Sequence, residues 1–472
     1  MIRTQTNSGY PGRLSLTVVA VFAIVAGTNS GYSAPLDVFW EKSDADFTSV
    51  TLNDVAVTPD GAFLLGGCVT SPTLKYSQHG EHRRFACVMK VEGTGNGKKV
   101  WEKRFRRDDY AGSSIPFSEI VSLSGTPDGG CVYLEHFEVA DLFNPLSRTI
   151  MNFVGMLDSH GEPEWETAFH GVDSFAPDAI LLQEVVQGNN GDYGLAGYLS
   201  GVAESCFIRL DGKTGQVLCR KPLGSYSMMN RAMAASPDGG FFIAEQKDLG
   251  QSVEVHVVKV NPLGDILWQA TLGYPEYVWS IPGAVRGTND GGCVVAGGTS
   301  VLSVSQGYLA KLDVTGKVEW QKAWGGSATA WLGFGSVDIL AGGDFLCAGQ
   351  LSQLAGNGIS VSSSVYLSRT DSSGNLRWEK PFAFSQSFTR PLRAFVIPGG
   401  AYGFLGLRGP TPNAIAMTPF LVKISSEARA EVWARYGSAT IASPAATGFL
   451  TGCEVSSLRG TEFEEPGRIM PR

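Results

Sequence analysis

The sequence predicts an all-β propeller of four-stranded blades, and three observations carry that prediction. A unit of about fifty residues recurs along the chain, glycine and aromatic positions recur inside it at matching offsets, and helical periodicity is nearly absent. The clearest copy runs from Asn289-Asp290-Gly291-Gly292-Cys293-Val294-Val295-Ala296 through Tyr308-Leu309-Ala310-Lys311-Leu312-Asp313 to Gly316-Lys317-Val318-Glu319-Trp320. It reads as a turn, an apolar strand, a loop, a strand ending in Asp, a tight turn and a strand carrying one Trp, which is the pattern of a propeller blade.

Taken in order, the chain opens with Arg3 and Arg13, an apolar run from Leu14 to Ala26, and Gly31-Tyr32-Ser33-Ala34-Pro35. That segment reads as a signal peptide over residues 1–34 with cleavage near Ser33 or Ala34, leaving 35–472 as a single propeller domain outside the cytoplasm, secreted or periplasmic. No later run is apolar for long enough to cross a membrane, so no stable span is expected after cleavage. A strand around Val38-Phe39-Trp40-Glu41-Lys42 comes next, ahead of any inner strand. Turn glycines then follow at Gly61, Gly129, Gly191, Gly239, Gly291, Gly343 and Gly400, with a degenerate copy leading into Phe449-Leu450-Thr451-Gly452. Trp strands fall at Trp40, Trp101, Trp165, Trp268, Trp320, Trp378 and Trp433, with Cys219 in the Trp slot of the third repeat. This count predicts eight blades, with seven as the alternative, and a ring closed by pairing the N-terminal strand with the last repeat near Phe449 to Val455, because closure removes exposed edges.

The Asp-Gly turns at Asp60-Gly61, Asp128-Gly129, Asp238-Gly239 and Asp290-Gly291 supply the backbone freedom that tight hairpins need, so their role is folding. Their aspartates fall one per blade with no closely spaced ligand loop, which argues against calcium. Each repeat Trp is expected to sit between neighbouring blades, at a cost of roughly 3 to 5 kcal/mol on truncation. The chain resembles bacterial secreted propeller-repeat proteins similar to quinoproteins, in Asp290-Gly291-Gly292, Lys311-Leu312-Asp313, Gly316 and Trp320. That resemblance implies the scaffold and leaves a quinone-dependent oxidoreductase as an alternative activity. The adjacent cysteine pair of quinoprotein alcohol dehydrogenases is missing, so no cofactor is assigned.

Cys206 and Cys219 lie symmetrically about Asp211-Gly212-Lys213-Thr214-Gly215, where the fifth repeat has Tyr308 and Trp320. Their joint replacement of an aromatic pair predicts a Cys206–Cys219 disulfide in an oxidising compartment, with Cys68 and Cys87 a weaker candidate pair. His79-Gly80-Glu81-His82 matches no zinc-binding pattern, and no nucleophile has an evident base, so neither a metal nor a catalytic residue is assigned. With a net charge of −8 and no basic block, nucleic acid is excluded as the main partner.

Two function classes remain, a non-catalytic binding module for an extracytoplasmic protein or glycan and a propeller enzyme such as a quinone-dependent oxidoreductase, lyase or hydrolase. The second strands, taken as the positions nearest the axis, carry Gly, Ala, Val, Leu and Cys, which favours the binding module. The extra length lies between Gly61 and Gly191, in insertions over 75–84, 106–116, 138–148 and 170–177 that are expected on one face. Arg84, Arg106, Asp108, Asp109 and Tyr110 are the candidate ligand-binding residues there, since loops on rigid scaffolds gather binding groups. Oligomeric state is not set by the sequence.

Overall fold

The computed structural model describes residues 49–424, apart from 76–81, 94–97, 108–114, 141–147, 171–179, 200–203, 225–230, 250–251, 274–278, 302–303, 328, 355–359, 383–387, 398–400 and 410–417. Alternating apolar runs separated by turn residues fold into antiparallel meanders. The first is β1 (Ser49–Val57), β2 (Phe63–Lys75), β3 (His82–Val91) and β4 (Lys99–Arg104); the second is β5 (Ile115–Gly125), β6 (Cys131–Ala140), β7 (Arg148–Leu157) and β8 (Pro163–His170). The third is β9 (Ile180–Gln187), β10 (Tyr193–Leu199), β11 (Glu204–Leu210) and β12 (Val217–Gly224). Next come β13 (Arg231–Ala235), β14 (Phe241–Asp248), β15 (Val253–Val260) and β16 (Ile266–Leu272), then β17 (Trp279–Gly287), β18 (Cys293–Val301), β19 (Val304–Leu312) and β20 (Val318–Trp324). The sixth is β21 (Ala330–Ile339), β22 (Phe345–Leu354), β23 (Ser360–Thr370) and β24 (Leu376–Phe382), and the seventh has β25 (Phe388–Ile397), β26 (Ala401–Gly409) and β27 (Thr418–Ile424). Each meander pairs in sequence order, the first six as four-stranded sheets of a β-propeller and the seventh with three described strands.

Contacts between sheets follow one rule. The first strand of each sheet bears on the first strand of the sheet before it: β5 on β1, β9 on β5, β13 on β9, β17 on β13, β21 on β17 and β25 on β21. By the same rule β1 bears on β25, as well as on β26 and β27. One core cluster joins Leu52, Val55 and Phe63 to Phe395 and Leu405, with the Phe63 and Phe395 rings 5.3 Å apart. First and seventh sheets are therefore in direct contact. The strand around Trp40, the repeat copy near Phe449 to Val455 and Trp433 lie outside the described residues.

Two recurrent ties hold the sheets. In five of them a basic residue on the third strand reaches the carboxylate of the turn between first and second strands: Lys90 to Asp60 at 3.4 Å, Arg209 to Asp192, Lys259 to Asp238 at 2.7 Å, Lys311 to Asp290 at 2.7 Å and Arg369 to Asp344 at 2.7 Å. The lysine stems are buried, so each ammonium is largely desolvated and depends on its carboxylate. The turn aspartates thus bind a neighbouring cation as well as shaping a hairpin.

The second tie is the repeat Trp. Trp101 donates its indole N–H to the Ser159 carbonyl at 2.8 Å, Trp165 to Gly212 at 3.3 Å and Trp268 to Val314 at 2.9 Å, in each case in the turn between third and fourth strands of the next sheet. Gly316 has φ +84, and a Cβ there would lie 2.6 Å from the Trp268 ring, so glycine is needed for both backbone angle and ring contact. These Trp residues sit between sheets as expected, but on outermost strands and only partly buried.

The predicted disulfide is not formed. Cys206 and Cys219 are free thiols, as are the five other cysteines among the described residues. The register pairs Cys206 with Pro222 and Cys219 with Arg209, so their positions differ by an odd number of residues. An odd offset puts two residues on opposite sheet faces. Cys206 accordingly packs with Val132 and Tyr193 towards the second sheet, and Cys219 with Phe207 and Phe241 towards the fourth. Tyr308 and Trp320 are offset in the same way, Tyr308 pairing with Ala323 and Trp320 with Lys311, so the supposed aromatic pair never faces across the strands. Cys68 pairs with Ala86 and Cys87 with Gly67, which likewise separates that pair.

Candidate functional site

The first strands, and not the second, line the axis. Six of the seven first strands carry a bulge: just before Asp54 in β1, Ser122 in β5, Glu184 in β9, Ala284 in β17, Ser336 in β21 and Arg393 in β25. A bulge bends the strand and re-aims the side chain that follows. Several of these side chains are spent on the next sheet. The Asp54 carboxylate accepts from the Leu123 backbone N–H at 2.8 Å, Ser122 Oγ from Val185 at 3.2 Å and Ser336 Oγ from Ala394 at 2.9 Å. Two residues further along, Ser124 Oγ accepts from Gln187 at 3.0 Å and Asp338 from Val396 at 3.1 Å. Arg393 reverses the polarity, donating to the Val55 carbonyl at 2.8 Å and lying 3.4 Å from the Asp54 carboxylate.

A cavity of about 200 Å³ opens among these strands, lined by Val55, Val57, Arg286, Asp338, Arg393 and Phe395, with Val396 completing the wall. The lining comes from the first, fifth, sixth and seventh sheets, so the cavity lies where non-adjacent sheets converge. Arg286 is the least committed group in it. Its guanidinium donates to the Val285 carbonyl at 2.8 Å, and among the described residues no carboxylate lies within ion-pair distance. Desolvation pulls its pKa down, the charge of Arg393 adds to that, and the carboxylates of Asp338, Glu184 and Asp54 oppose it. Glu184 follows the bulge of β9 on the third sheet as Asp54 and Arg393 follow theirs on the first and seventh, so it takes the equivalent position on its first strand. Burial pushes the Glu184 carboxyl up to about 8, Asp54 adds to the shift, and the two arginines oppose it.

The axial positions therefore hold three carboxyls and two guanidinium groups from five sheets, against the sequence-based expectation of an uncharged axis. That expectation placed the axis one strand too far out. The second strands do carry small and apolar residues, but they form the interior between sheets. An apolar wall beside convergent charged groups is the ordinary composition of a small-ligand site.

Arg84 and Arg106 each lie against an aromatic ring near the start of β3. Arg84, the third residue of β3, lies beside Phe117 of β5, its guanidinium 5.1 Å from that ring; Arg106 is exposed, 5.9 Å from the ring of Phe85. Asp108, Asp109 and Tyr110 lie outside the described residues. Arg107, in the same segment, is turned inward: it pairs with the buried Glu135 at 2.5 Å and with Glu166 at 2.7 Å, and lies 3.7 Å over the Phe153 ring. Ser118 donates to Glu135 at 2.8 Å and Tyr133 to Glu166 at 2.6 Å. This network ties the link between the first two sheets to β6 and β8, so part of the charge density seen in the insertions is structural.

The described residues do not fit a quinone stacked on the repeat Trp rings, because those rings already cover the turn glycines of the next sheet far from the axis. The aspartates of the turns between third and fourth strands are also occupied: Asp313 Oδ1 accepts from Thr315 N at 2.8 Å and Lys317 N at 3.0 Å. Among the described residues no group of three or more His, Cys, Asp or Glu is placed to hold a metal ion, and no helix is long and apolar enough to cross a membrane.

No protein-family model matches the chain, and no curated protein matches it. Solved structures resemble it at low identity. Hydrazine synthase of Kuenenia stuttgartiensis overlaps with a TM-score of 0.44 and 12% identity, covering 79% of this chain and 93% of that chain. Sqt1 of Chaetomium thermophilum, bound to the N-terminus of ribosomal protein L10, gives 0.41 and 11%, covering 79% and 87%. A PL25 ulvan lyase bound to its saccharide gives 0.47 and 8%, covering 83% and 96%. At such scores these likenesses carry no argument about chemistry.

Proposed function

We propose that this protein is an exported, seven-bladed propeller that binds a small carboxylate-bearing ligand at its axis, with Arg286 as the anchoring cation. The uncommitted Arg286 guanidinium in a cavity walled by Val57, Phe395 and Val396 carries this reading. A carboxylate there gains charge-assisted hydrogen bonds from Arg286, while its apolar part packs on the valines and Phe395. Asp54, Asp338 and Arg393 are engaged in ties between sheets, which favours binding over turnover. The direct contact of β1 with β25 supports the count of seven, and the residues of segment 1–34 support export.

Titrating the mature protein with 4-methylpentanoate, and with Arg286→Met beside it, tests the reading. Measurable binding that the substitution weakens by about ten-fold or more supports it, since a lost charge pair is worth roughly 2 kcal/mol or more. Equal affinity in the variant, or no binding of the probe by the wild type, overturns it.

A second reading is an axial enzyme, lyase or hydrolase, favoured by one observation: a carboxyl raised to about 8 beside two arginines has the protonation of a general acid at neutral pH. Turnover of a uronate-containing or other carboxylated glycan, abolished by Glu184→Gln, is its test. The surface around Arg84 and Arg106, continued by Asp108, Asp109 and Tyr110, is proposed as a separate contact for an extracytoplasmic protein or glycan. Arg106→Ala with Asp109→Ala tests it by loss of that contact with folding intact.

A further inference from the structure

Among the axial side chains that follow a bulge, Glu184 stands apart. Asp54, Ser122 and Ser336 each use a side-chain oxygen to accept a backbone N–H of the next sheet, and Arg393 donates to a carbonyl of the first sheet. Glu184 occupies the equivalent place in β9, opposite Ala196, yet among the described residues it accepts no hydrogen bond and forms no ion pair. The residue is only partly buried, and the charges of Arg286 and Arg393 act on its carboxyl.

The other charges it meets are few. β1 presents Asp54, β17 Arg286 and β25 Arg393. The flanking strands offer Ser122 and Ser124 on β5, whose hydroxyls already accept from Val185 and Gln187 of β9, and Ala232, Met233 and Ala234 on β13. β10 brings Tyr193, Leu195 and Ala196, β6 brings His136, whose ring bonds the Leu182 carbonyl and whose pKa burial lowers, and β7 brings Asn152, bonded to Ile180 and Leu182. Among the described residues no cation is bonded to Glu184.

We propose that Glu184 makes the axial site take up a proton together with its anion, so that a carboxylate ligand is held at neutral and acidic pH and released in alkali. This rests on the axial binding site proposed above and adds its regulation. With Glu184 neutral, the charges of Asp54 and Asp338 balance those of Arg286 and Arg393, and an incoming carboxylate meets no net repulsion. Ionised, Glu184 adds an unpaired negative charge on the axis that opposes the ligand. The proton comes from solvent, adds to the Glu184 carboxylate and leaves the same way. Burial has already raised this carboxyl to about 8, and a bound anion raises it further, so ligand and proton favour each other reciprocally.

Calorimetric titration of the mature protein with 4-methylpentanoate from pH 6 to 9.5 reads the coupling, since that probe keeps its charge throughout. Affinity should be level up to about pH 7.5 and then fall by as much as ten-fold per pH unit, with a proton taken up on binding as shown by the dependence of the heat on buffer ionisation. Glu184→Gln, a neutral isostere checked for folding by near-ultraviolet circular dichroism, should bind with an affinity independent of pH. Binding that is flat with pH in the wild type, or that weakens equally in Glu184→Gln, overturns the coupling while leaving the axial site standing. No binding by the wild type at any pH overturns both.

Discussion

Arg393 of β25 donates to the Val55 carbonyl of β1 at 2.8 Å while lying 3.4 Å from the Asp54 carboxylate, and so joins the seventh sheet to the first across 338 residues of sequence. Asp54 in turn accepts the Leu123 N–H of the second sheet at 2.8 Å. One arginine and one aspartate thereby link three sheets. Arg393→Met keeps the stem and removes the donors, leaving a carbonyl and a carboxylate without their cation. The expected loss is about 1–3 kcal/mol of unfolding free energy, read by urea denaturation of the full mature chain. No loss would show that the first and seventh sheets are held by packing alone.

Trp268 and Gly316 form the equivalent joint at the rim, the ring lying over the glycine and the indole N–H reaching the Val314 carbonyl at 2.9 Å. Gly316→Ala would force a Cβ to within 2.6 Å of the ring at a φ of +84. Overpacking and left-handed strain together predict a loss of about 2–3 kcal/mol. Trp268→Phe loses the hydrogen bond but keeps a ring over the glycine, so about 1 kcal/mol is expected. Thermal unfolding that ranks the two substitutions the other way would overturn this account of the joint.

The repeat was legible because turn chemistry and strand patterning are local: Asp290-Gly291, Asp313 to Gly316 and Trp320 each announce a hairpin or an outer strand. The axial site was partly legible and was sought on the wrong side of the turn. Arg286 and Asp338 stand five residues before Gly291 and Gly343, and Asp54, Glu184 and Arg393 seven before Gly61, Gly191 and Gly400. Reading backwards from the turn glycine would have put all five on the innermost strand. Their convergence is non-local, since it depends on ring geometry that no one repeat contains. The cysteine error has a different origin. Symmetry about a turn does not fix which face a residue takes, because the bulge between Arg209 and Leu210 shifts the register there.

Free thiols at Cys206 and Cys219 are directly measurable. Alkylating the unfolded, unreduced protein should label both residues to the same extent as after reduction, as peptide mass spectrometry would show. A tryptic fragment holding Cys206 linked to Cys219 would contradict the sheet register as well as the free-thiol state.

Lys311 and Asp290 predict an acid dependence. Burial raises the Asp290 carboxyl, but the hydrogen bonds from Lys311 and Thr288 outweigh it and hold the group at about 2. A depressed folded-state pKa contributes stability above the unfolded value of roughly 4 and loses it as the pH falls through about 2. The carboxylate is about half exposed, so screening limits its contribution to about 1 kcal/mol or less. Asp290→Asn should therefore be less stable than wild type at pH 5 and match it near pH 2; a difference that persists unchanged at pH 2 would assign the effect to the turn rather than to the ion pair.

Glu184 predicts the opposite slope. Its folded-state pKa, about 8, lies above the ordinary carboxylate value, so between roughly pH 4.5 and 8 the folded chain holds a proton that the unfolded chain has released. Stability from this group is full below the unfolded value and is lost as the pH rises through that window. Glu184→Gln removes the titration while keeping the shape. The variant should match wild type near pH 4.5 and exceed it at pH 8, by an amount on the order of 1–3 kcal/mol, because a partly solvated carboxyl loses less than its full shift implies. Urea denaturation of both proteins at the two pH values, without ligand, measures this independently of binding. If the difference does not grow with pH, Glu184 is ionised in the folded protein, and the axial arginines, rather than a proton, balance its charge.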